Sequence, residues 1–136
     1  MLVNAGSGAA YTDSRGAVWQ ADQAYTSGAD WGYIGASSTF ASSVPVRGTG
    51  DPLLYQTERY WSGGGGGYRF VLPNGDYELV LKLAEIYPGT QVGTRVFTIR
   101  VEGVDVMAHL DVMEIAGANT AYDVVVPVHV GDGLLS

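Results

Sequence analysis

The sequence contains no cysteine, which excludes disulfides, thiol nucleophiles and cysteine-ligated zinc or iron–sulfur centres. A domain of this size folds without bridges even in a secretory setting, so the absence leaves the compartment open. Basic residues are scarce: seven Lys and Arg stand against fourteen Asp and Glu, a formal charge of -7. That balance repels phosphate backbones and anionic headgroups, making nucleic acid and acidic membranes poor partners. No apolar run approaches the roughly 18 to 20 residues that span a bilayer, and Met1-Leu2-Val3-Asn4 lacks the basic and apolar regions of a signal peptide. Membrane insertion is not expected. Helical periodicity is nearly missing too; the best candidate, Asp111 to Ala116, is too short to stand alone.

What is present favours a folded β domain. With 136 residues the chain fits a single domain, and 46% hydrophobic against 15% charged residues supply a core without the charge density of disorder. Twenty glycines beside nine tyrosines and three tryptophans point to tight turns between strands, with aromatics left for a binding surface. Tyr68 to Leu72, the turn Pro73-Asn74-Gly75-Asp76 and Tyr77 to Tyr87 read as a hairpin on a type I′ turn. In its second arm Tyr77, Leu79, Leu81 and Leu83 share an apolar face. Phe97, Ile99 and Val101 alternate in Thr94 to Val101, which Glu102-Gly103 turns into Val104 to Met107. Tyr77 and Phe97 are assigned to the core. Tyr122 to Val130 is a further strand whose Pro127 belongs on an edge or at a bulge. Val18-Trp19-Gln20 and Tyr33-Ile34-Gly35 are short strand candidates among loops. The tract Gly63 to Gly67 reads as a flexible linker, because no helix and lysine follow it to cradle phosphate. Strands at short spacing with glycine-containing turns predict an antiparallel β-sandwich, jelly-roll-like, with aromatic-bearing loops at one end. Gly131-Asp132-Gly133 announces one more strand, yet only Leu134-Leu135-Ser136 follow. The reading is therefore a C-terminally truncated domain whose missing strand comes from another chain or a second copy.

Little catalytic apparatus accompanies this framework. Glu58 and Glu85 sit among aromatics and could form a glycosidase pair, but Glu58 has Arg59 next to it and Arg95 elsewhere in the chain, so a structural ion pair is the simpler account. His109 and Asp111 would share a face on a strand as metal ligands or as base and orienter. With two histidines in the chain and no nucleophile-elbow or His-Glu-x-x-His motif, a turn or surface role is favoured. No Asp-x-Asp-x-Asp-Gly calcium loop occurs. Neither a cofactor nor a metal is expected, and the chain is not expected to be an enzyme. The aromatics at element ends say more: Trp31 and Tyr33, Tyr60 and Trp61, and Tyr87 before Pro88-Gly89 are placed where rings can stack on the C–H face of a pyranose.

Five segments resemble the malectin domain family in order: Val3-Asn4-Ala5-Gly6, Tyr55-Gln56-Thr57-Glu58-Arg59-Tyr60, Leu83-Ala84-Glu85-Ile86-Tyr87, Arg95-Val96-Phe97-Thr98-Ile99 and Ala118-Asn119-Thr120-Ala121-Tyr122. The likeness covers Val3 to Leu135. It implies a β-sandwich that binds carbohydrate without catalysis, with glucose-containing oligosaccharides as ligands and an extracellular or secretory setting. By the same resemblance Trp31, Tyr60 and Tyr87 are stacking residues, and Glu85 and Asp30 nearby hydroxyl acceptors. A phenylalanine of the family pattern is replaced by Pro88. The family's binding aspartate lies beyond the segment this chain contains. The alternative reading is a structural or adhesive β-sandwich module of a larger surface protein, without a ligand of its own.

Overall fold

A computed structural model describes residues 1–136, and its regular structure is almost entirely strand. In chain order the strands are β1 (Val3–Asn4), β2 (Tyr11–Thr12), β3 (Val18–Ala21), β4 (Trp31–Ile34), β5 (Ser38–Ala41), β6 (Thr57–Tyr60), β7 (Gly67–Val71), β8 (Gly75–Leu83), β9 (Phe97–Val101), β10 (Val104–Leu110), β11 (Tyr122–Val130) and β12 (Leu134–Leu135). A 3-10 turn, Pro52–Tyr55, precedes β6, and one short helix, α1 (Val112–Ala116), follows β10. Asp111 caps α1 by accepting the Glu114 amide at 3.1 Å, which explains why so short a helix forms where the sequence places it. No helix is long and apolar enough to cross a membrane.

The ladders are antiparallel except for β1 with β3. β8 and β11 pair over nine residues in unbroken register. β7 lies between β4 and β12, and β5 pairs with β6. This is the predicted antiparallel β-sandwich. Pro127 stands opposite Glu78 on β11, whose only ladder is with β8, so the missing N–H falls on an edge as expected.

The expected hairpin at Asn74-Gly75 does not form. β7 and β8 both exist, but they belong to different ladders, and the chain changes sheet between them. The Leu72 amide donates to Gly133, Asn74 Nδ2 donates to the Gly131 carbonyl at 2.9 Å, and the Tyr77 hydroxyl holds the Pro73 carbonyl at 2.7 Å. A nine-residue ladder to β11 outweighs the local turn preference of two residues. The two-residue hairpin lies instead between β9 and β10: Glu102 and Gly103 have φ of 50° and 76°, and Val101 pairs with Val104. Positive φ at both central positions is the type I′ pattern.

Hydrophobic residues gather in two clusters. One holds Val46, Leu54, Tyr55 and Ile86 with Phe40 and Trp19 packed against it; the other holds Val101, Val130 and Leu135 with Phe70, Tyr77 and Leu79. Tyr77 packs as expected. Phe97 does not, being 42% exposed. Burial falls along its strand face from Val101 through Ile99 to Phe97, because the cluster beneath ends before the start of β9. The glycine tract is more than a linker. A Cβ at Gly66 would lie 1.8 Å from the Trp61 ring, whose indole N–H donates to the Ile34 carbonyl at 2.8 Å, so the last turn of the tract is packed against that ring.

Candidate binding cleft

β6 alternates, and its two faces have different duties. Thr57 and Arg59 turn toward the N-terminal segments, Thr57 Oγ1 donating to the Ala5 carbonyl and Arg59 Nε to Asp22 at 2.7 Å. Glu58 and Tyr60 take the opposite face and enter an open cleft of about 370 Å³. The loop between β8 and β9 supplies the remaining walls: Tyr87, Pro88, Gly89, Thr90, Thr94 and Arg95.

Two buried carboxylates shape that loop. Glu85, 6% exposed, accepts the Tyr87 amide at 3.1 Å, the Thr90 hydroxyl at 3.3 Å and Arg95 Nη1 at 2.9 Å, all on Oε1. Asp111, 4% exposed, accepts the Gly93 amide at 2.6 Å while capping α1. The Ala118 to Ala121 segment supports Glu85 from behind, its Asn119 amide donating to the Glu85 carbonyl at 2.8 Å. Below Tyr87 lies Phe40 of β5, ring to ring at 5.0 Å and tilted 55°, leaving Tyr87 53% exposed.

Arg95 joins both glutamates. Its Nη2 is 3.1 Å from Glu58 Oε1 and its Nη1 2.9 Å from Glu85 Oε1, so of the two arginines the sequence offered Glu58 it is Arg95 that pairs, and with Glu85 as well, while Arg59 turns to Asp22. Burial pushes the Glu58 carboxyl above its ordinary 4.5, outweighing the Arg95 hydrogen bond and charge, with Glu85 adding to the rise. Burial works against the Arg95 charge, but the hydrogen bond and charge of Glu58, with those of Glu85, more than reverse it.

Of the residues singled out by sequence, Tyr60 and Tyr87 meet in the cleft. Trp31 does not: it is 4% exposed, with its ring stacked on Phe70 at 6.2 Å, because β4 is covered where it pairs with β7. A ring so enclosed offers no face to a sugar. Asp30 is exposed but outside the cleft, its carbonyl taking the Val71 amide. Glu85 lies behind the cleft wall as an anchor, without lining it. His109 has φ of 55° at a bulge in β10, so the two-residue alternation that would align it with Asp111 is broken; it is a surface residue and Asp111 a cap. Sequence reasoning named Arg95 only as an ion-pair partner and passed over Thr90 and Thr94, because a loop position carries no periodicity that would direct its side chain.

The chain matches the malectin domain family over residues 1–136. It is 38% identical over 136 residues to Malectin of Mus musculus and 35% identical to Malectin of Homo sapiens, matches that cover 98% of this chain and 44% of each relative. Malectin-A of Xenopus laevis is 35% identical, with 46% of its length covered. The chain thus spans slightly less than half the length of these curated relatives. Among solved structures it resembles a segment of Bacteroides uniformis β-glucuronidase with a TM-score of 0.83 and 28% identity, covering 98% of this chain and 15% of that one. β-Glucuronidase 2 of the same organism, covalently bound to cyclophellitol-6-carboxylate aziridine, contains a similar segment, with a TM-score of 0.81.

Proposed function

The chain belongs to the malectin domain family, and from that premise we propose that it is a non-catalytic carbohydrate-binding module for neutral, glucose-containing oligosaccharides. The observation that carries this reading is the meeting of Tyr60 and Tyr87 in one open cleft with Glu58, Arg95, Thr90 and Thr94 between them. Rings at the wall supply apolar platforms, and neighbouring charged and hydroxyl groups exchange hydrogen bonds with sugar hydroxyls. The volume suits a few sugar residues, not a long buried chain. Absence of catalysis is supported by the charge arrangement: both glutamates converge on one guanidinium, where a glycosidase pair needs the scissile bond between its carboxyls. Few stacked rings imply modest affinity, micromolar to millimolar, on the order of -4 to -8 kcal/mol.

Glycan-array binding tests the assignment. Tyr87→Ala and Tyr60→Ala together should abolish it while thermal unfolding stays near wild type, since Tyr87 is half exposed and neither ring belongs to the buried clusters. Retained binding removes the assignment of the site to this cleft, whereas wild type that binds no glycan leaves the scaffold reading, which the burial of Trp31 suits. The proposal includes a strand-completing partner, another chain or a second copy. β12 covers only Phe70 and Val71 of one edge of β7, leaving Gly67 to Arg69 open there. A monomer at every concentration in size-exclusion chromatography counts against self-association.

A further inference from the structure

We infer that Glu58 is the specificity-determining residue of this cleft: by occupying the guanidinium of Arg95 it bars sugars bearing a carboxylate and keeps the site for neutral ones. The inference rests on the cleft being the glycan site. Its basis is a count of charges and donors. Arg95 is the only cation lining the cleft, and an unmasked arginine would be a natural fork for a uronate carboxylate. Here the end-on fork is filled. Glu58 takes Nη2 at 3.1 Å and Nη1 at 3.4 Å, and Glu85 takes Nη1 at 2.9 Å.

The three groups sum to one negative charge, part of a chain total of -7. An incoming carboxylate meets repulsion and finds the end-on pair of donors, Nη1–H and Nη2–H, already taken by Glu58. A neutral sugar meets neither difficulty: Arg95 keeps its Nε–H and one Nη2–H without a partner in the chain, and both can donate to hydroxyls. The two glutamates are not equivalent. Glu85 is 6% exposed and also holds the Tyr87 amide and Thr90 hydroxyl, so a ligand cannot displace it. Glu58 lines the cleft, has 19% of its side chain exposed, and its carboxylate bonds only to Arg95. It stands where a ligand carboxylate would take the end-on fork, and its charge repels one that approaches the remaining Nε–H and Nη2–H. Rejecting the wrong ligand by a like charge at the site is an economical route to selectivity.

The test compares wild type with Glu58→Gln, which keeps the shape and removes the charge, and with Glu58→Ala, which also opens the space. The probes are matched neutral and glucuronate-terminated oligosaccharides on one array, with affinities by titration calorimetry for maltose and for maltose whose terminal glucose is oxidised to glucuronate. Wild type should prefer the neutral probe, and both variants should lower that preference by about tenfold or more, chiefly through gained uronate binding. Wild type that binds uronate as well as neutral sugar overturns the inference without any variant. So does an unchanged preference in variants that fold. Wild type that binds no probe of either kind overturns the underlying glycan assignment instead, so the two failures are distinguishable.

Discussion

Asp22 joins three distant segments through one carboxylate. Its Oδ2 accepts the Gly6 amide at 2.7 Å, Arg59 Nε at 2.7 Å and the Tyr68 hydroxyl at 3.0 Å, and its side chain is 2% exposed. Arg59 is itself pressed over the Tyr33 ring, 3.5 Å from the centroid, and its side chain is only 10% exposed. Removing the carboxylate leaves a nearly enclosed guanidinium without its counter-ion. Asp22→Ala should therefore cost about 3 to 5 kcal/mol in urea unfolding, whereas exposed Asp30→Ala should cost less than about 0.5 kcal/mol. Nothing in the local sequence, Ala21-Asp22-Gln23, separates this aspartate from the other eight. Its partners lie 16 to 46 residues away, and only folding brings them within reach.

Elements show where local signals suffice. The strands from β8 to β11 were legible because alternation and turn residues both mark them, and Asp111 marks the start of α1. The turn at Glu102-Gly103 formed as a two-residue hairpin, so Gly103→Ala, forced to φ near 76°, should destabilise by about 1 to 2 kcal/mol in thermal or urea unfolding. The stronger hairpin signal, Asn74-Gly75, failed for an identifiable reason. Pairing partners are chosen by ladder length and buried faces, and β8 gains nine paired residues from β11. Asn74 keeps a different role, donating to Gly131 at the crossing between sheets.

At the scale of the whole molecule, acidic residues pull stability in two directions with pH. The Asp13 carboxyl lies below its ordinary 3.8 chiefly through the Trp19 indole N–H, and that of Asp51 chiefly through the Ser14 hydroxyl. A lowered folded pKa contributes stability above the unfolded value and loses it as pH falls through the folded one. Glu58 has the opposite sign. Its folded pKa is raised above 4.5, mainly by burial, so its contribution is full below 4.5 and declines as pH rises through the folded value. The difference in melting temperature, Glu58→Gln minus wild type, should accordingly grow in favour of the variant between pH 4 and neutrality. A flat difference in calorimetric scans would show that the carboxylate is not penalised by its surroundings.

The amino-acid order by itself determined the fold class, most strand positions, the short capped helix and the family, because each is written in periodicity, in turn chemistry or in short motifs read along the chain. Tertiary structure alone decided which strands pair, that Trp31 faces Phe70 while Tyr60 and Tyr87 share a hollow, and that Glu85 anchors a loop from behind. The physical reason is one of range. A side chain's face is set by its own strand, but what lies opposite that face is set by segments tens of residues away, and exposure at a cleft is a property of the pair.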